Sequence, residues 1–529
     1  NSTSPVIQFS REDIERGGFA TTEDLVKAIP QNFDGGASQE NAADYLAPNR
    51  SGNGTGSGSS IDLRGLGTSS TLILVNGRRI PSGGFSAGFA DISAIPLSAV
   101  ESVEVLTDGA SAVYGSDAIG GVVNFKLRKE FDGAETKLRY SPDIGMDSTD
   151  ILFSQALGKA WSSGSLLFSY EYFNQESLGN ENRNVTASTD LRPLGGDDWR
   201  LVGGNPGTIL AGGSSYAIPA GQDGTSLTPG DFAPGTSNLD NGKAFLDLRG
   251  EQERHSAMLM LRQELSDRAE LFLDTRFSTR ESDRRTAQLR LDLTVPDTNP
   301  FFVDPTGTGL TSIVIDNYNF VHDIGPARNF GDTESFSAIT GVTIDIGNDW
   351  QGEFSALYAK EDYESIISNF PDAAAVAVAL ADPNPLTAFN PFADGSNTSQ
   401  STLDSIRVPV SQRATSESDY LEFQAAFNGA LFAIPGGDIS MANGIQYREE
   451  DHRNGVSTAA DGVTGSRDVF SVYAEVFIPL VGERNSRTGI RRLEVSLAGR
   501  YDDYSDVGDT TNPKIVVIWS PYDSLDFGA

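Results

Sequence analysis

From Ala134 to the end of the chain, apolar and polar residues alternate in runs of about ten, the length a tilted membrane strand needs. Leu166, Phe168, Tyr170 and Tyr172 fall on one side of such a run, with Ser169 and Glu171 on the other. Leu421, Phe423, Ala425 and Phe427 oppose Glu422, Gln424 and Asn428, and Leu493, Val495, Leu497 and Tyr501 oppose Glu494, Ser496, Arg500 and Asp502. A period of two predicts β-strands with two unlike faces. The connections alternate in length as well. Gly158 to Ser163, Ser266-Asp267, Gly347 to Asp349, Pro435 to Asp438 and Pro521 to Asp523 read as short turns. Between them lie Glu176 to Gln252, Glu281 to Thr333, Asn369 to Ser416 and Asn454 to Arg467, with 481–492 and 505–509 intermediate. A soluble sandwich shares the alternation but has no reason for the short–long rhythm. A membrane β-barrel, with turns on one side and loops on the other, produces it.

The first third has a different texture. Pro5 to Phe9 is a short apolar strand, Ser10 caps a helix that ends at Gly17-Gly18, and Thr22 caps a second from Glu23 to Ile29. Gln31 to Ser60 reads as a polar, mobile loop. Ile61 to Leu66 and Thr71 to Val75 are predicted strands, with a turn at Asn76-Gly77. Pro81 to Ala90 is a glycine-rich loop carrying Phe85 and Phe89, and Pro96 opens a short helix. The stretch Leu97 to Arg128 is then strand, turn at Asp108-Gly109, short helical turn, glycine-marked bend and strand. Gly115, Gly120 and Gly121 mark close approaches that a side chain would block. The expected division is a mixed α/β domain at 1–128 and a β domain at 129–529. Gly52 to Gly58 is no phosphate cradle, since neither a buried strand before it nor a helix after it is evident.

These residues carry a resemblance. Val103-Glu-Val-Leu-Thr-Asp-Gly-Ala-Ser-Ala-Val-Tyr-Gly-Ser-Asp-Ala-Ile-Gly-Gly-Val-Val-Asn124, preceded by Ile61-Asp-Leu-Arg-Gly-Leu-Gly67 and Leu72-Ile-Leu-Val-Asn-Gly-Arg-Arg79, resembles the plug signature of TonB-dependent outer-membrane receptors, three segments in order. Phe389 to Gly395, Gly444 to Glu450, Tyr473 to Leu480 and Ala498 to Ser505 are similar to segments of the barrel. The resemblance implies a membrane β-barrel of about 22 antiparallel strands with an α/β plug in its lumen. Roughly the first 12 strands are present, with a thirteenth beginning. The family usually ends in an aromatic residue and this chain ends Asp-Phe-Gly-Ala529, so the later strands are expected to be absent. The resemblance further implies active import of a scarce nutrient across the outer membrane of a Gram-negative cell. The implied partners are the inner-membrane TonB complex, outer-membrane lipid and lipopolysaccharide, and an accessory subunit such as a surface lipoprotein. The energy-coupling box of such receptors is not recognisable before Pro5. Siderophore, cobalamin, oligosaccharide and peptide remain open as substrates; a passive porin or adhesin, or a soluble β-rich binding protein, is the rival reading.

Composition narrows the chemistry. A net charge of −34 argues against nucleic-acid binding. The absence of cysteine excludes disulfides and thiolate metal sites, and His255, His322 and His452 are too scattered for a histidine metal centre. No apolar run reaches the roughly 18 residues of a spanning helix, and Ala373 to Ala381 reads as a short loop helix. No signal peptide opens the sequence, as expected once an exported protein has lost it. No nucleophile–base constellation emerges, so no enzyme and no cofactor are expected. Arg64 resembles the plug arginine that pairs with glutamates on the barrel wall; Glu422 and Glu475 have the inward parity to be its partners, and Arg64→Ala is expected to loosen the plug. Ser102 stands where the family often has a second arginine. Arg78, Arg79, Phe85 and Phe89 are candidate ligand contacts on the plug, and Phe389 and Phe392, with Phe301 and Phe302, on the loops. Asp502, Asp503 and Asp506 lack an EF-hand pattern and read as a solvated acidic loop.

Overall fold

The computed structural model describes residues 6–33, 58–85, 88–107, 114–129, 131–457, 462–522 and 525–528. Residues 52–57 of the glycine-rich run, most of the 31–60 loop, the Asp108-Gly109 turn and the five N-terminal residues lie outside the described residues.

The first domain is built on a five-stranded mixed sheet. Its order is Val6–Phe9, Val100–Leu106, Gly121–Leu127, Thr71–Val75 and Arg78–Arg79. Thr71–Val75 runs parallel to Gly121–Leu127 and turns back through Asn76 (φ 52°) and Gly77 (φ 78°) into Arg78–Arg79. The left-handed pair Asn-Gly supplies the turn that a two-residue hairpin requires. Ile73, Val103, Val105, Val123 and Phe125 close the core with Leu25, Val26 and Ile29 of the second helical segment. The first helix is Arg11–Gly17, capped by Ser10 and Asp13 in a reciprocal box and ended by left-handed Gly18.

Two local expectations are corrected. The second helix, Thr22–Lys27, is capped by Thr21 and not by Thr22. Thr21 has Asp24 three positions on and can form the box, whereas the Thr22 hydroxyl donates to the Ile95 carbonyl, 2.6 Å away. Ile61 to Leu66 is no strand. Arg64 and Gly65 are both left-handed (φ 65° and 69°), the Asp62 side chain accepts the Gly67 N–H, and the Leu63 N–H goes to Thr71 Oγ1. Side chains take the hydrogen bonds that a ladder would have used.

The second domain is one antiparallel sheet of thirteen strands. In chain order they are Gly133–Pro142, Thr149–Trp161, Gly164–Gln175, Glu251–Ser266, Ala269–Thr286, Ala327–Gly347, Trp350–Ser368, Gln412–Ile434, Gly437–Val456, Val463–Val481, Arg492–Tyr504, Gly508–Tyr522 and Leu525–Gly528. Each pairs with its neighbours in sequence, and the first and thirteenth lie at the two ends. Most strands exceed the expected ten residues. The expected turn at Gly158 to Ser163, for example, shrinks to two residues because the ladder continues to Trp161 paired with Gly164.

The faces of this sheet are inverted relative to a soluble protein. Phe423, Ile445 and Ile515 are exposed at 50, 51 and 70%, while Ser169, Glu171, Arg448, Ser471 and Asp502 on the other face are buried. Exposed apolar rows backed by buried charges suit lipid outside and protein inside. Trp161, Trp350 and Trp519 stand beside the short turns with their indole N–H groups satisfied by Gln263, Ala430 and Gly489. Their position matches an interfacial aromatic girdle. Among the described residues no helix is long and apolar enough to cross a membrane.

The polar face wraps the first domain. Thirteen strands laid flat would span about 60 Å at the usual strand spacing, and a domain of the size enclosed is about 35 Å across. Yet the first domain touches the first, third, fifth, seventh, eighth, ninth and eleventh strands. Only a sheet curved around it allows that.

Sequence reading did not anticipate what the long connections do. Segments 176–250, 287–326 and 369–411 fold together as a cap. Ser214–Ala217, Thr208–Ala211, Ser312–Asn319 and Arg290–Pro296 form a four-stranded sheet, and helices Ala373–Ala381 and Gln400–Ile406 cover it. Ile209, Val295, Ile315, Tyr318, Phe320, Phe389 and Phe392 are its fully buried core.

Candidate functional site

The enclosed domain meets the wall through an apolar patch, where Ala156, Leu167, Met258 and Met260 join its core, and through a series of polar contacts. Asp91, on the loop before the Val100–Leu106 strand, meets Arg280 of the fifth barrel strand at 2.5 Å, with 8% and 3% of the two residues exposed. The second Asp91 oxygen accepts from the Ser93 N–H, the Ser93 hydroxyl and the Ser59 N–H. Burial alone would raise the Asp91 carboxyl; the Arg280 guanidinium and Ser93 hold it below its ordinary value. This is a charge-assisted pair with its remaining valences filled.

The glycine-rich loop is held in the same way. Glu361 of the seventh strand accepts the Gly84 N–H at 2.7 Å, Ser416 donates to the Gly84 carbonyl, and Asn454 donates to the Phe85 carbonyl. Gly83 leaves room for Glu361, whose carboxylate would overlap any added Cβ. Arg78 donates to Gln424 and pairs with Glu353. Glu135 of the first strand bridges Arg11 and Arg128, and Ser98 and Ser169 share a hydrogen bond of 2.9 Å.

Beside these contacts lies a cavity of about 580 Å³ between the enclosed domain and the eighth to tenth strands, within the size range of small-ligand sites. Thr68, Leu72, Arg79, Ile80, Phe89 and Asp117 line one side; Ser418, Tyr420, Glu450, His452 and Arg467 line the other. Arg79 is 2.5 Å from Asp117 and also donates to the Tyr114 carbonyl. Burial opposes ionisation of Asp117, and the Arg79 and Arg448 guanidiniums overcome it, so its carboxyl is held low. Arg467 and Arg448 both pair with Glu450. Gly115 (φ 92°) lets the backbone pass within reach of Arg500, where an added Cβ would stand 3.3 Å from Nε. A non-glycine residue would be strained there in any case.

The structure distributes the sequence candidates unevenly. Arg79 and Phe89 line the cavity. Arg78 is taken up by the wall, and Phe85 presents its carbonyl to Asn454. Arg64 is exposed in its left-handed turn, with its backbone N–H on the Gln31 carbonyl. Glu422 accepts from the Tyr420 hydroxyl and Glu475 from the Ser496 hydroxyl, so both carboxylates are held from their own wall. Among the described residues Arg78 is a plug cation that reaches this stretch, and Asp91–Arg280 is a buried pair between plug and wall, with the acid on the plug and the cation on the wall. Nothing in the sequence pointed from one of these two residues to the other. Phe389 and Phe392 are 0% exposed in the cap core, where Phe389 stacks on Phe320; Phe301 and Phe302 pack against that core. Asp502 belongs to a strand and not to a loop, and is bonded to Arg500 and Ser471. Among the described residues no group of three or more His, Cys, Asp or Glu is placed to hold a metal ion.

The cap carries its own titratable centre. Asp323 accepts from Ser396 at 2.6 Å and from Tyr318 at 2.9 Å, and Asn205 donates to the Tyr318 hydroxyl, so one carboxyl ties all three loops together. Burial pushes Asp323 up to about 7, against the pull of the hydrogen bonds it accepts. A folded-state value above the unfolded one means that the folded cap takes up a proton. The contribution of Asp323 to cap stability is therefore expected to be full below about pH 4 and to fade steadily up to about pH 7. Asp323→Asn should flatten that slope; hydrogen exchange of cap amides across the same pH range checks it.

Comparison with known proteins places these features. Residues 1–122 match the family model described as TonB-dependent Receptor Plug Domain. Among solved structures, a mutant ferric enterobactin receptor of Pseudomonas aeruginosa is 16% identical with a TM-score of 0.59, over 99% of this chain and 61% of that one. The siderophore receptor PirA of Acinetobacter baumannii is 17% identical with a TM-score of 0.57, over 99% of this chain and 60% of that one. The ferric citrate transporter FecA, unliganded, is 10% identical with a TM-score of 0.50, over 100% and 62%. This chain thus spans about three-fifths of the length of the structures it matches. The chain has the architecture of a TonB-dependent receptor: a plug domain matched at residues 1–122, enclosed by part of a transmembrane β-barrel.

Proposed function

We propose that the protein imports a scarce nutrient across the outer membrane of a Gram-negative cell, driven by the inner-membrane TonB complex. The observation that carries the reading is a plug enclosed by a lipid-facing wall and held there by buried, directional contacts, Asp91–Arg280 among them. A passive pore has no use for an occluding domain fixed in this way. The plug runs to Arg128 and the barrel follows. Ligand binds from outside, at Arg79 and Phe89 on the plug and at the wall facing them. Force from the periplasm then disturbs the plug contacts and releases the ligand inward. No covalent chemistry is involved. The structural neighbours bear names that include ferric enterobactin, siderophore and ferric citrate, which makes a ferric chelate the first substrate to try.

The test is uptake. Cells carrying the full-length receptor are grown on single iron sources and single glycans, with and without a functional TonB. Growth or accumulation that requires both supports the proposal. Uptake that needs the receptor but persists without TonB contradicts it.

A further inference from the structure

The charge pattern of the plug–wall cavity bears on what it holds. Two guanidiniums line it, Arg79 and Arg467. Each already has a carboxylate: Asp117 at 2.5 Å for Arg79, and Glu450 at 2.5 Å for Arg467. An anion entering here would have to draw one of these cations off its carboxylate, costing the partly buried Asp117 its nearest cation or leaving Glu450 with Arg448 alone. The cap adds charge of the sign that repels an anion. Segment 287–326 carries Asp292, Asp297, Asp304, Asp316 and Asp323 against Arg290 alone. Segment 369–411 carries Asp372, Asp382, Asp394 and Asp404 against Arg407 alone, and Asp506 stands at the cavity edge. A field of that sign lowers the local concentration of an anion and slows its arrival. A cation would be drawn to the cap, but inside the cavity Asp117 and Glu450 are occupied in their turn.

What remains for a ligand is a mixture of hydroxyls, fixed donor–acceptor pairs and apolar surface. Thr68, Ser418 and Tyr420 present hydroxyls; Leu72, Ile80 and Phe89 present carbon. A matched guanidinium–carboxylate pair can donate to one ring hydroxyl and accept from its neighbour, with no net charge needed on the ligand. We propose that the cavity takes an uncharged, hydroxyl-rich ligand of the oligosaccharide class, with Phe89 against a ring face and the Arg79–Asp117 and Arg467–Glu450 pairs at its hydroxyls. This rests on the transport reading and narrows its substrate away from anionic ferric chelates.

The experiment is a binding titration of the purified full-length receptor at low and high salt. The probes are a panel of neutral oligosaccharides of three to six sugars, ferric citrate, ferric enterobactin and oligolysine. The expected result is binding of at least one neutral oligosaccharide, with an affinity that changes less than about twofold with salt and falls about tenfold or more in Phe89→Ala. Thr68→Val serves as a second variant should Phe89→Ala fail to fold, with a smaller loss expected. Tight binding of either ferric chelate or of oligolysine that strengthens as salt falls overturns the proposal, and so does a panel on which no neutral oligosaccharide binds. A bound sugar whose uptake persists without TonB would contradict the transport reading while leaving this assignment intact.

Discussion

Replacing Arg280 with alanine should release the plug from its place. The change leaves the Asp91 carboxylate buried without its cation, and removing one partner of a buried ion pair costs about 3–5 kcal/mol. That is a large share of what can hold one plug segment against the wall. Cells carrying Arg280→Ala should admit a hydrophilic probe that the unaltered receptor excludes, and the 88–99 segment should become accessible to protease. Asp91→Asn in the same background should recover part of the lost closure, because it removes the orphaned charge. The comparison with Arg64→Ala is instructive. Arg64 is exposed in its turn, so its removal should cost less closure than removal of the buried Arg280. Leak from Arg64→Ala with none from Arg280→Ala would reverse the assignment of the lock.

The second large effect is expected in the cap. Phe389 is fully buried against Phe320 and Tyr318, and Phe→Ala at such a site costs about 3–5 kcal/mol. The loss should be confined to the cap. Loops 176–250, 287–326 and 369–411 should become sensitive to external protease together, since they share this core. The barrel should keep its thermal transition, because its ladder does not depend on Phe389. A role for Phe389 as a direct ligand contact predicts the opposite: weakened binding with loops still protected.

The legible and illegible parts of this chain divide along physical lines. Strand parity was legible because it is local: Leu421, Phe423, Glu422 and Gln424 reveal two faces without knowledge of any partner. The inward positions of Ser169, Glu171 and Arg500 followed from the same rule, and the structure buries all three. The Asn76-Gly77 hairpin and the Ala373 to Ala381 helix were legible for the same reason, since their signals sit within a few residues. Partners across long separations were not. Asp91 and Arg280 are 189 residues apart, and nothing near either names the other. The cap was hidden more deeply. Its core draws Ile209, Val295, Ile315 and Phe389 from three connections, each of which alone looks like a polar loop punctuated by a few apolar residues. Aromatic residues in a loop suggest recognition when the loop is taken singly. Once three loops pack together the same residues are simply interior.

Every functional statement above depends on the plug lying inside the wall, and the sequence offers an unusually clean way to test that. The chain contains no cysteine, so an introduced pair has no internal competitor. Ser98 on the plug and Ser169 on the third barrel strand are both buried, with their hydroxyl oxygens 2.9 Å apart. In the full-length receptor carrying Ser98→Cys and Ser169→Cys, oxidation in intact outer membranes should close a plug–wall disulfide in most molecules, and protease should then be unable to separate plug from barrel. Free thiols at both positions, under conditions that close a control pair placed across two neighbouring barrel strands, would contradict the account.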